Sequence, residues 1–310
     1  MDAIGEYRAL APAKVNLGLF MGPRRDGDGR HELVTVMQSI SLADELILRA
    51  ADVSATSDEI VCPGLTGDPQ QNLAARALAS FRAATGWDAP PLHLSVDKRV
   101  PVAAGLGGGS ADAAAALRLA HAASGLGDER LLRELGAALG ADVPAQIAPG
   151  RWLATGAGEL LQALPDPFPA LELLVLASDS ELSTADVYRE ADALGLERER
   201  GELEQRREQL RSALELGAPL PAARELLHND LQAAAVSLCA PIAQALAQMR
   251  EAGAEESLVS GSGPTVVGLF AHANPAGRAQ RAAAALSERV PAPIAARSVD
   301  AAFAQVSALG

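Results

Sequence analysis

The sequence has little of two residue types that often indicate a protein class. Its 310 residues include two cysteines, Cys62 and Cys239, which lie far apart and lack the close spacing of zinc ligands or of a disulfide framework. Aromatic residues make up 3% of the chain, so aliphatic side chains and alanine must build the core. These shortages exclude a zinc-binding module and a disulfide scaffold, and they predict a reducing, cytoplasmic setting.

Positive charge is also scarce. Lys and Arg number 26 against 39 Asp and Glu, which gives a net charge of −13, whereas a nucleic-acid binder presents a basic face. No uncharged apolar run approaches the roughly 18 residues that span a bilayer. The opening MDAIGEYRAL lacks the basic and apolar regions of a signal peptide. We therefore expect neither a nucleic acid nor a membrane among the partners, while monomer and homodimer both remain open.

Small residues, in contrast, are concentrated in one stretch. Residues 100–120 read VPVAAGLGGGSADAAAALRLA, in which Gly107, Gly108 and Gly109 precede Ser110 and an alanine-rich run. Alanine favours helix, and the first turn of a helix carries unpaired N–H groups and the positive end of the helix dipole. Glycines let an anion approach the backbone because they carry no Cβ. The stretch predicts a phosphate loop before a helix with Ser110 as N-cap; a flexible turn before an ordinary helix is the alternative.

This loop matches neither of two common phosphate-binding motifs. No Gly-Lys-Ser/Thr closes it, as a Walker A loop requires. Gly105, Gly107 and Ser110 give Gly-x-Gly-x-x-Ser instead of the dinucleotide fingerprint, and Pro101 interrupts the direct run from strand into loop. The sequence therefore predicts a third kind of phosphate loop.

Strand-like and helix-like segments mix along the chain without a regular βαβ repeat. YRALAPAKVNLGLF reads as a strand interrupted at Pro12, LHLSVDKRV as a strand, DERLLRELGAALG as a helix and ESLVSGSGPTVVGLFA as two strands joined by a glycine turn. MGPRRDGDGRHEL and ADVPAQIAPG read as loops. The three prolines of LPDPFPA indicate a boundary. We predict an α+β fold of two domains, 1–163 and 164–310.

Three separated blocks, taken in order, resemble the three motifs of the GHMP kinases. They are APAKVNLGLF near the start, VPVAAGLGGGSADAAAAL in the middle and SGSGPTVVGLF near the end. The family contains small-molecule kinases of the galactokinase, homoserine kinase and mevalonate kinase group. A single glycine motif has low specificity, whereas the ordered set at the family's spacing is specific, and it extends from about residue 11 to about residue 271.

Shorter segments are similar to one branch of that family, which acts in the non-mevalonate route to isoprenoids. They are DGRHEL, QNLAARAL, DKRVP, GADVPAQ, GAGEL and HNDLQ. The resemblance implies a transferase that uses ATP, with Mg²⁺, to phosphorylate the 2-hydroxyl of 4-(cytidine 5′-diphospho)-2-C-methyl-D-erythritol. It also implies a ribosomal-protein-like, ATP-binding N-terminal domain and a ferredoxin-like, substrate-side C-terminal domain, with both ligands in the cleft between them.

For catalysis, the resemblance assigns roles to Lys14 and Asp142. Asp142, in GADVP, would accept the proton of the attacking hydroxyl or orient that hydroxyl. Lys14, in PAKVN, would keep Asp142 ionised and stabilise charge on the transferred group. Taken alone, Asp142 reads as a turn or cap residue and Lys14 as a surface lysine. Asn16 corresponds to a polar residue on the substrate side, and its spacing of two from Lys14 predicts that both side chains share one strand face.

For ATP, the resemblance assigns the N–H groups of the glycine loop to the phosphates. Asn72 and Lys98 correspond to positions near the adenine and the ribose. Ser110 would offer its hydroxyl to a phosphate or to Mg²⁺, with helix capping as its other role, and Asp112 is a candidate metal ligand by proximity. The predicted ATP-binding residues are Asn72, Lys98, Pro101, Ala104, Gly105, Leu106, Gly107, Gly108, Gly109 and Ser110.

For the substrate, His31 corresponds to a histidine that hydrogen-bonds the cytosine, which suits a neutral imidazole because it both donates and accepts. Tyr188 corresponds to an aromatic residue that stacks on the cytosine from the second domain. A solvated loop histidine and a tyrosine packed in the core are the alternatives. Asn229 and Asp230 match a motif that we interpret as structural. The predicted substrate-binding residues are Asn16, His31, Tyr188, Gly261, Ser262 and Gly263.

Arg30 departs from the family pattern, which has an aromatic residue before the histidine, and its loop is two residues longer. A guanidinium also stacks on a base, yet the exchange leaves the base specificity open. Two other readings therefore stay open. One is a GHMP kinase for a different small alcohol, and the other is a nucleotide-binding homologue without turnover, against which the intact Lys14 and Asp142 argue.

Overall fold

The computed structural model contains two β-sheets, each flanked by helices. It describes residues 4–64, 71–165, 170–215, 224–270 and 277–309. The strands are β1 (Glu6–Arg24), β2 (His31–Ala50), β3 (Glu59–Val61), β4 (Leu92–Asp97), β5 (Arg151–Thr155), β6 (Leu160–Leu164), β7 (Glu172–Leu176), β8 (Glu256–Val259), β9 (Val266–Phe270), β10 (Ile294–Arg297) and β11 (Ser307–Leu309). The helices are α1 (Leu73–Thr85), α2 (Gly108–Ser124), α3 (Glu129–Leu139), α4 (Val143–Ile147), α5 (Thr184–Ala193), α6 (Arg200–Glu215), α7 (Gln232–Leu238), α8 (Pro241–Glu251) and α9 (Arg278–Ala285).

The first sheet is built on the long antiparallel hairpin of β1 and β2. Its strand order is β11-β1-β2-β4-β3, and β5 and β6 extend the other half of β2. The predicted interruption at Pro12 is wrong, because β1 continues through this residue and absorbs it in a register shift between Pro12 and Lys14. The loop predicted over MGPRRDGDGRHEL is shorter than expected, since β1 extends to Arg24 and β2 already begins at His31.

The helix after the glycine loop begins earlier than the sequence indicates. Gly107 is the N-cap of α2 with φ of 69°, and no side chain caps the helix, so Ser110 lies inside the first turn and the predicted N-cap is wrong. A glycine in the left-handed region turns the chain into the helix without the steric cost of a Cβ. ADVPAQIAPG, predicted as a loop, contains the short helix α4, in which Pro144 occupies a first-turn position that proline tolerates.

The second sheet has the antiparallel order β10-β7-β9-β8. The chain order of its elements is strand, helices, two strands, helix, strand, which is the ferredoxin-like arrangement. Both predicted strands around SGSGPTVVGLF are present as β8 and β9, and all five residues of β9 are buried. The α+β fold with two sheet-based units is therefore confirmed.

A shared core joins the two sheets. Val15 and Leu17 of β1 belong to the same apolar cluster as Leu173 and Val175 of β7 and Val267 of β9. At the end of the chain, β11 returns to the first sheet and pairs with β1. The predicted division into 1–163 and 164–310 stays a prediction, and residues 166–169 of the proline-rich boundary lie outside the described residues. Within the described part of the chain, none of the helices is long and apolar enough to cross a membrane.

Candidate active site

The glycine loop lines a pocket of about 540 Å³ between β4 and α2. Gly105 has a φ of 74°, and a Cβ built on it would lie 2.7 Å from the carbonyl oxygen of Gly263 in the second half of the chain. Gly107 has a φ of 69°, and its built Cβ would lie 2.9 Å from Cγ of Lys14. The loop therefore needs glycine at both positions. All predicted ATP-binding residues line this pocket: Asn72, Lys98, Pro101, Ala104, Gly105, Leu106, Gly107, Gly108, Gly109 and Ser110.

Lys14 and Asp142 face each other beside this loop. The Lys14 Nζ lies 3.5 Å from Asp142 Oδ2 and donates a hydrogen bond of 2.9 Å to Asn16 Oδ1. The Lys14 and Asn16 side chains thus share a face of β1, as their spacing predicts. Asp142 precedes α4 without capping it, so its carboxylate is available to the lysine and not to the helix. The resulting group pairs a nearly buried ammonium with a partly exposed carboxylate.

Thr35 supports this pair and is a residue that the sequence analysis missed. Its hydroxyl accepts a 2.8 Å hydrogen bond from Asn16 Nδ2 and donates one of 2.7 Å to the carbonyl of Gly18. The signal for it was available in the alternation of strand β2, because every second residue faces the same side. The residues of β2 that line the second pocket follow this alternation: His31, Leu33, Thr35 and Met37.

This second pocket, of about 760 Å³, is the place predicted for the substrate. It shares Gly105 and Gly107 with the glycine-loop pocket, and Lys14 and Asp142 line it. After the ligands predicted for them, we refer to the glycine-loop pocket as the nucleotide pocket and to this one as the substrate pocket. Both halves of the chain contribute to it, because α5 and the turn after β8 form one of its walls. Of the predicted substrate-binding residues, those that line it are Asn16, His31, Tyr188, Gly261 and Ser262. Gly263 reaches the site through its carbonyl at Gly105.

His31 and Tyr188 are stacked in this pocket. Their ring centroids lie 5.5 Å apart, and the ring planes are inclined by 20°. The His31 Nδ1 lies 2.8 Å from the Gly22 carbonyl oxygen, which competes with a base for this nitrogen. Nε2 lies 3.0 Å from Asp192 Oδ1 but makes no hydrogen bond within the described residues. Burial, together with the charge of Asp142, raises the pKa of Tyr188 to about 12 against the opposing charge of Arg30, so the phenol keeps its proton at neutral pH.

Arg30 lines the same pocket and donates a 2.9 Å hydrogen bond to the carbonyl of Ala157. Two other arginines of the lining, Arg24 and Arg189, are paired with the carboxylates of Asp192 and Asp186. Arg30 thus presents a cation to the pocket that a neutral carbonyl holds in place. Asp192, which pairs with Arg24 and lies 3.0 Å from His31 Nε2, was also missed by the sequence analysis, and no spacing in the sequence indicates such long-range contacts.

The turn after β8 is supported by the segment that contains Asn229. The Asn229 Nδ2 donates to the carbonyls of Val259 and Gly261 at 2.8 and 2.7 Å. Asp230 accepts from the Met21 N–H at 2.9 Å and is paired with Arg198. These contacts agree with the structural interpretation of the Asn229–Asp230 motif.

Beneath the glycine loop, Lys98 lies between two buried carboxylates. Its Nζ bonds to Asp44 and, at 2.8 Å, to Asp112 Oδ2. Burial lowers the pKa of Lys98, but the carboxylates of Asp112 and Asp44 outweigh it, so this pKa lies above its usual value. Burial raises the pKa of Asp112 to about 7, against the opposing charge of Lys98. Asp44 was not predicted, because it stands beside a second acid, Glu45, in SLADELIL, and the sequence does not show which of the two is buried.

The predicted metal site at Ser110 is not tested by the contacts of the described residues. Ser110 lines the nucleotide pocket with a hydroxyl, the hard oxygen ligand that Mg²⁺ prefers. Asp112, the other candidate, uses one carboxylate oxygen for Lys98. In the described part of the chain, the potential metal ligands that lie within 4.8 Å of one another are instead those of His31, Asp192 and Glu197, on the side of the second pocket.

Comparison with known proteins identifies the family of this chain. The sequence model of the GHMP kinases N terminal domain matches residues 72–150, and that of the GHMP kinases C terminal matches residues 203–292. The 4-diphosphocytidyl-2-C-methyl-D-erythritol kinase of Salinispora tropica is 41% identical over 92% of this chain and 89% of that protein. The enzyme of the same name from Mycobacterium tuberculosis is 43% identical over 88% of this chain and 84% of that protein.

Solved structures extend this likeness to the fold. A crystal structure of a 4-(cytidine 5′-diphospho)-2C-methyl-D-erythritol kinase is 32% identical and has a TM-score of 0.73 over 94% of this chain and 98% of that chain. A homoserine kinase from Cytophaga hutchinsonii, 17% identical, has a TM-score of 0.72 over 98% of both chains and shows the fold alone. The chain is therefore a small-molecule kinase and belongs to the 4-diphosphocytidyl-2-C-methyl-D-erythritol kinases within the GHMP kinase family.

Proposed function

We propose that this protein transfers the γ-phosphoryl group of ATP to the 2-hydroxyl of 4-(cytidine 5′-diphospho)-2-C-methyl-D-erythritol. The observation that carries the proposal is the position of Lys14 and Asp142, 3.5 Å apart, where a glycine-lined pocket and a second, larger pocket adjoin. Phosphoryl transfer needs an acceptor hydroxyl, a group for its proton and donors for the phosphates in one place. The substrate brings the hydroxyl, and this junction supplies the carboxylate for its proton and, in Lys14 and the glycine loop, the donors for the phosphates.

In the reaction, Asp142 accepts the proton as the 2-hydroxyl oxygen attacks the γ-phosphorus. The new P–O bond forms while the bond from the γ-phosphorus to the bridging oxygen of ADP breaks, so the charge moves to the leaving ADP. Lys14 balances negative charge on the transferred group, because its ammonium is nearly buried, at 10% exposure of the side chain, and therefore weakly screened. Asn16 holds this ammonium in place.

The residues of the glycine loop hold the nucleotide. The N–H groups at the start of α2 and the positive end of its dipole face the phosphates. Mg²⁺, when bound, would neutralise part of the phosphate charge, with the Ser110 hydroxyl as its ligand from the protein. Mg²⁺ commonly keeps most of its waters and is held largely by substrate phosphates, which suits a pocket with one such hydroxyl.

On the acceptor side, Tyr188 and His31 offer stacked rings to the cytosine, and Arg30 offers a flat cation to the base or the diphosphate. The same Arg30 favours a second candidate function, a GHMP kinase for a different alcohol, because it stands where the family has an aromatic residue. The paired Lys14 and Asp142 argue against a homologue that binds ATP without turnover.

The test is ATP consumption by the purified protein with Mg²⁺ and one acceptor at a time. We expect turnover with the cytidine diphosphate substrate and none with homoserine, mevalonate, phosphomevalonate or sugars. Turnover with one of those alcohols alone would support the second candidate. ATP binding without transfer to any acceptor would overturn the assignment of a kinase reaction to this site.

A further inference from the structure

A buried cluster of three ionisable side chains lies under the glycine loop, separate from the reacting pair. It consists of Asp44 on β2, Lys98 after β4 and Asp112 on α2, and we refer to it as the loop anchor. Its side chains are nearly inaccessible, with exposed fractions of 0% for Asp44, 4% for Asp112 and 12% for Lys98. Charges at this depth are strongly coupled to their partners because water screens them little.

Asp44 holds three consecutive residues at the start of the loop. One of its carboxylate oxygens accepts the Lys98 ammonium. The other accepts the backbone N–H groups of Arg99 at 2.6 Å and Val100 at 2.7 Å. Because β4 ends at Asp97, these are the first residues of the segment that leads into the glycine loop. The carboxylate therefore fixes both the position and the direction in which the loop leaves the sheet.

Lys98 connects this starting point with the helix on the far side of the loop. The ammonium of Lys98 that binds Asp44 also donates a hydrogen bond of 2.8 Å to Asp112, which lies two residues after Ser110. The segment between them includes Ala103 with a φ of 57°, in the left-handed region that a residue with a Cβ seldom adopts. A loop that contains such a residue keeps its conformation when contacts at both ends hold it.

We propose that Asp44 is a positioning residue for the nucleotide: through Lys98, Arg99 and Val100 it holds the glycine loop in the conformation that receives the phosphates. This inference rests on the proposed function, since the ligand of the loop is taken to be ATP. Asp44 acts through the loop, because within the described ranges it lines neither the nucleotide pocket nor the substrate pocket. Asp112 completes the anchor from the helix side.

The test compares Asp44→Asn with the wild type in three measurements. The asparagine side chain has the shape of the aspartate and keeps one oxygen for the N–H groups of Arg99 and Val100. Its NH₂ group, however, then faces the Lys98 ammonium in place of a carboxylate oxygen. We expect the dissociation constant for ATP to rise about tenfold or more, since a hydrogen bond between charged groups is lost. Hydrogen exchange of the amides between residues 99 and 109 should become faster in the nucleotide-free protein. The KM for the acceptor should stay unchanged.

A matched control lies on β3. The carboxylate of Glu59 is 47% exposed and lies 3.4 Å from His93 Nδ1, so Glu59→Gln removes an acidic charge without touching the anchor or the residues that it holds. It should leave ATP binding and the exchange of the loop amides as in the wild type. A purely structural role of Asp44 would lower the melting temperature of Asp44→Asn while its folded protein bound ATP normally.

If Asp44→Asn does not fold, Asp112→Asn and Asp112→Ala provide the second test. The asparagine keeps an oxygen for Lys98, so it should retain tighter ATP binding and slower loop exchange than the alanine. Exchange measured without nucleotide separates a displaced loop from a lost direct contact. Equal ATP affinity and equal loop exchange in wild type and folded variants would overturn the inference, whereas a wild type that fails to bind ATP would overturn the proposed function instead.

Discussion

Lys14 and Asp142 differ in how far each is exposed, and this difference suggests their division of work. The lysine side chain is 10% exposed and the aspartate 35%, so the cation is fixed in the protein and the carboxylate faces the pocket. A fixed cation suits charge on a phosphoryl group that arrives beside it, and an accessible carboxylate suits a proton that must come and go. The two groups therefore complement each other without a covalent step.

Replacement of Asp142 tests this division directly. Asp142→Asn keeps the size of the side chain but cannot accept a proton, so we expect kcat to fall roughly 10²-fold or more. The dissociation constant for ATP should change little, because Asp142 lies outside the set that lines the nucleotide pocket. Steady-state kinetics and ATP titration check both expectations, with Glu134→Gln on the exposed face of α3 as control. Near-normal turnover would leave Asp142 with a positioning role.

Replacement of Arg30 tests how the base is held. Arg30→Ala removes the planar cation from the substrate pocket, so we expect the KM for the cytidine diphosphate substrate to rise about tenfold, the size of one lost stacking contact. Arg30→Tyr should recover most of the affinity, since an aromatic ring also stacks. Arg200→Ala, which removes an arginine of 74% exposure outside the pocket, is the control. A KM unchanged by Arg30→Ala would show that the guanidinium contributes nothing to substrate binding.

At the scale of elements, strand β1 connects the two halves of the site. This strand carries Lys14 and Asn16. At Leu19, its backbone is hydrogen-bonded to the segment that supports the turn after β8. The Leu19 N–H donates to the His228 carbonyl at 2.7 Å, and the Asp230 N–H donates to the Leu19 carbonyl at 3.0 Å. The position of the substrate-side turn relative to Lys14 is thus set by backbone pairing and by Asp230.

Asp230 gives this connection a pH dependence. Burial raises its pKa, but hydrogen bonds from His228, Arg198 and the Met21 N–H outweigh it and hold the pKa below the ordinary value of 3.8. A folded-state pKa below the unfolded value means that the carboxylate stabilises the fold above about pH 4 and loses this contribution as the pH falls further.

Asp230→Asn should therefore lower the free energy of unfolding by about 1–3 kcal/mol at pH 7, the range for a lost hydrogen bond to a buried charged group. The difference from the wild type should shrink as the pH falls below 4. Urea denaturation at a series of pH values measures it, and Asp186→Asn, at an exposed ion pair, is the control. A difference that stays constant down to pH 3 would contradict the assigned cause.

At the scale of the whole molecule, the sequence predicted what depends on local pattern. Glycines 105 and 107 indicated the phosphate loop because backbone freedom is a property of the residue itself, and the spacing of Lys14 and Asn16 predicted their shared face. Asp142 was ambiguous from its neighbours, since its partner lies 128 positions away in the chain, and its assignment depended on the family motifs. Asp44 and Asp192 were missed because burial and pairing across elements are not encoded in spacing.

The helix start at Gly108 shows the limit of local rules in another way. Ser110 satisfies the preference for an N-cap, yet Gly107 begins the turn because the loop must pass Lys14 without a Cβ. The contact with Lys14 thus determines where α2 begins, although the local propensity favours a start at Ser110. The same holds for Pro12, where pairing on both sides of the residue carries the strand through a position that proline disfavours.

Arg118 links parts of the chain that are distant in sequence, and its replacement tests how far the molecule depends on that link. From α2 its guanidinium donates to the Leu10 carbonyl of β1 at 2.9 Å and to the Ala304 carbonyl before β11. Burial lowers the pKa of Arg118 to about 10, so it stays charged at neutral pH. The glycine-loop helix, the first strand and the C-terminal return are therefore held by one cation.

Arg118→Met keeps much of the apolar stem but leaves two carbonyls without this donor, while it removes the cost of holding a charge in the protein. We expect the two carbonyls left without a donor to cost more than that gain, so the free energy of unfolding should fall by about 1–3 kcal/mol. Denaturant unfolding measures it against Arg130→Met, whose exposed i,i+4 pair with Glu134 is screened by water and contributes little to stability. A variant as stable as the wild type would mean that the cost of burying the cation equals the gain from its hydrogen bonds. Strand pairing with β1 and packing would then hold the C-terminal return on the first sheet without a net contribution from Arg118.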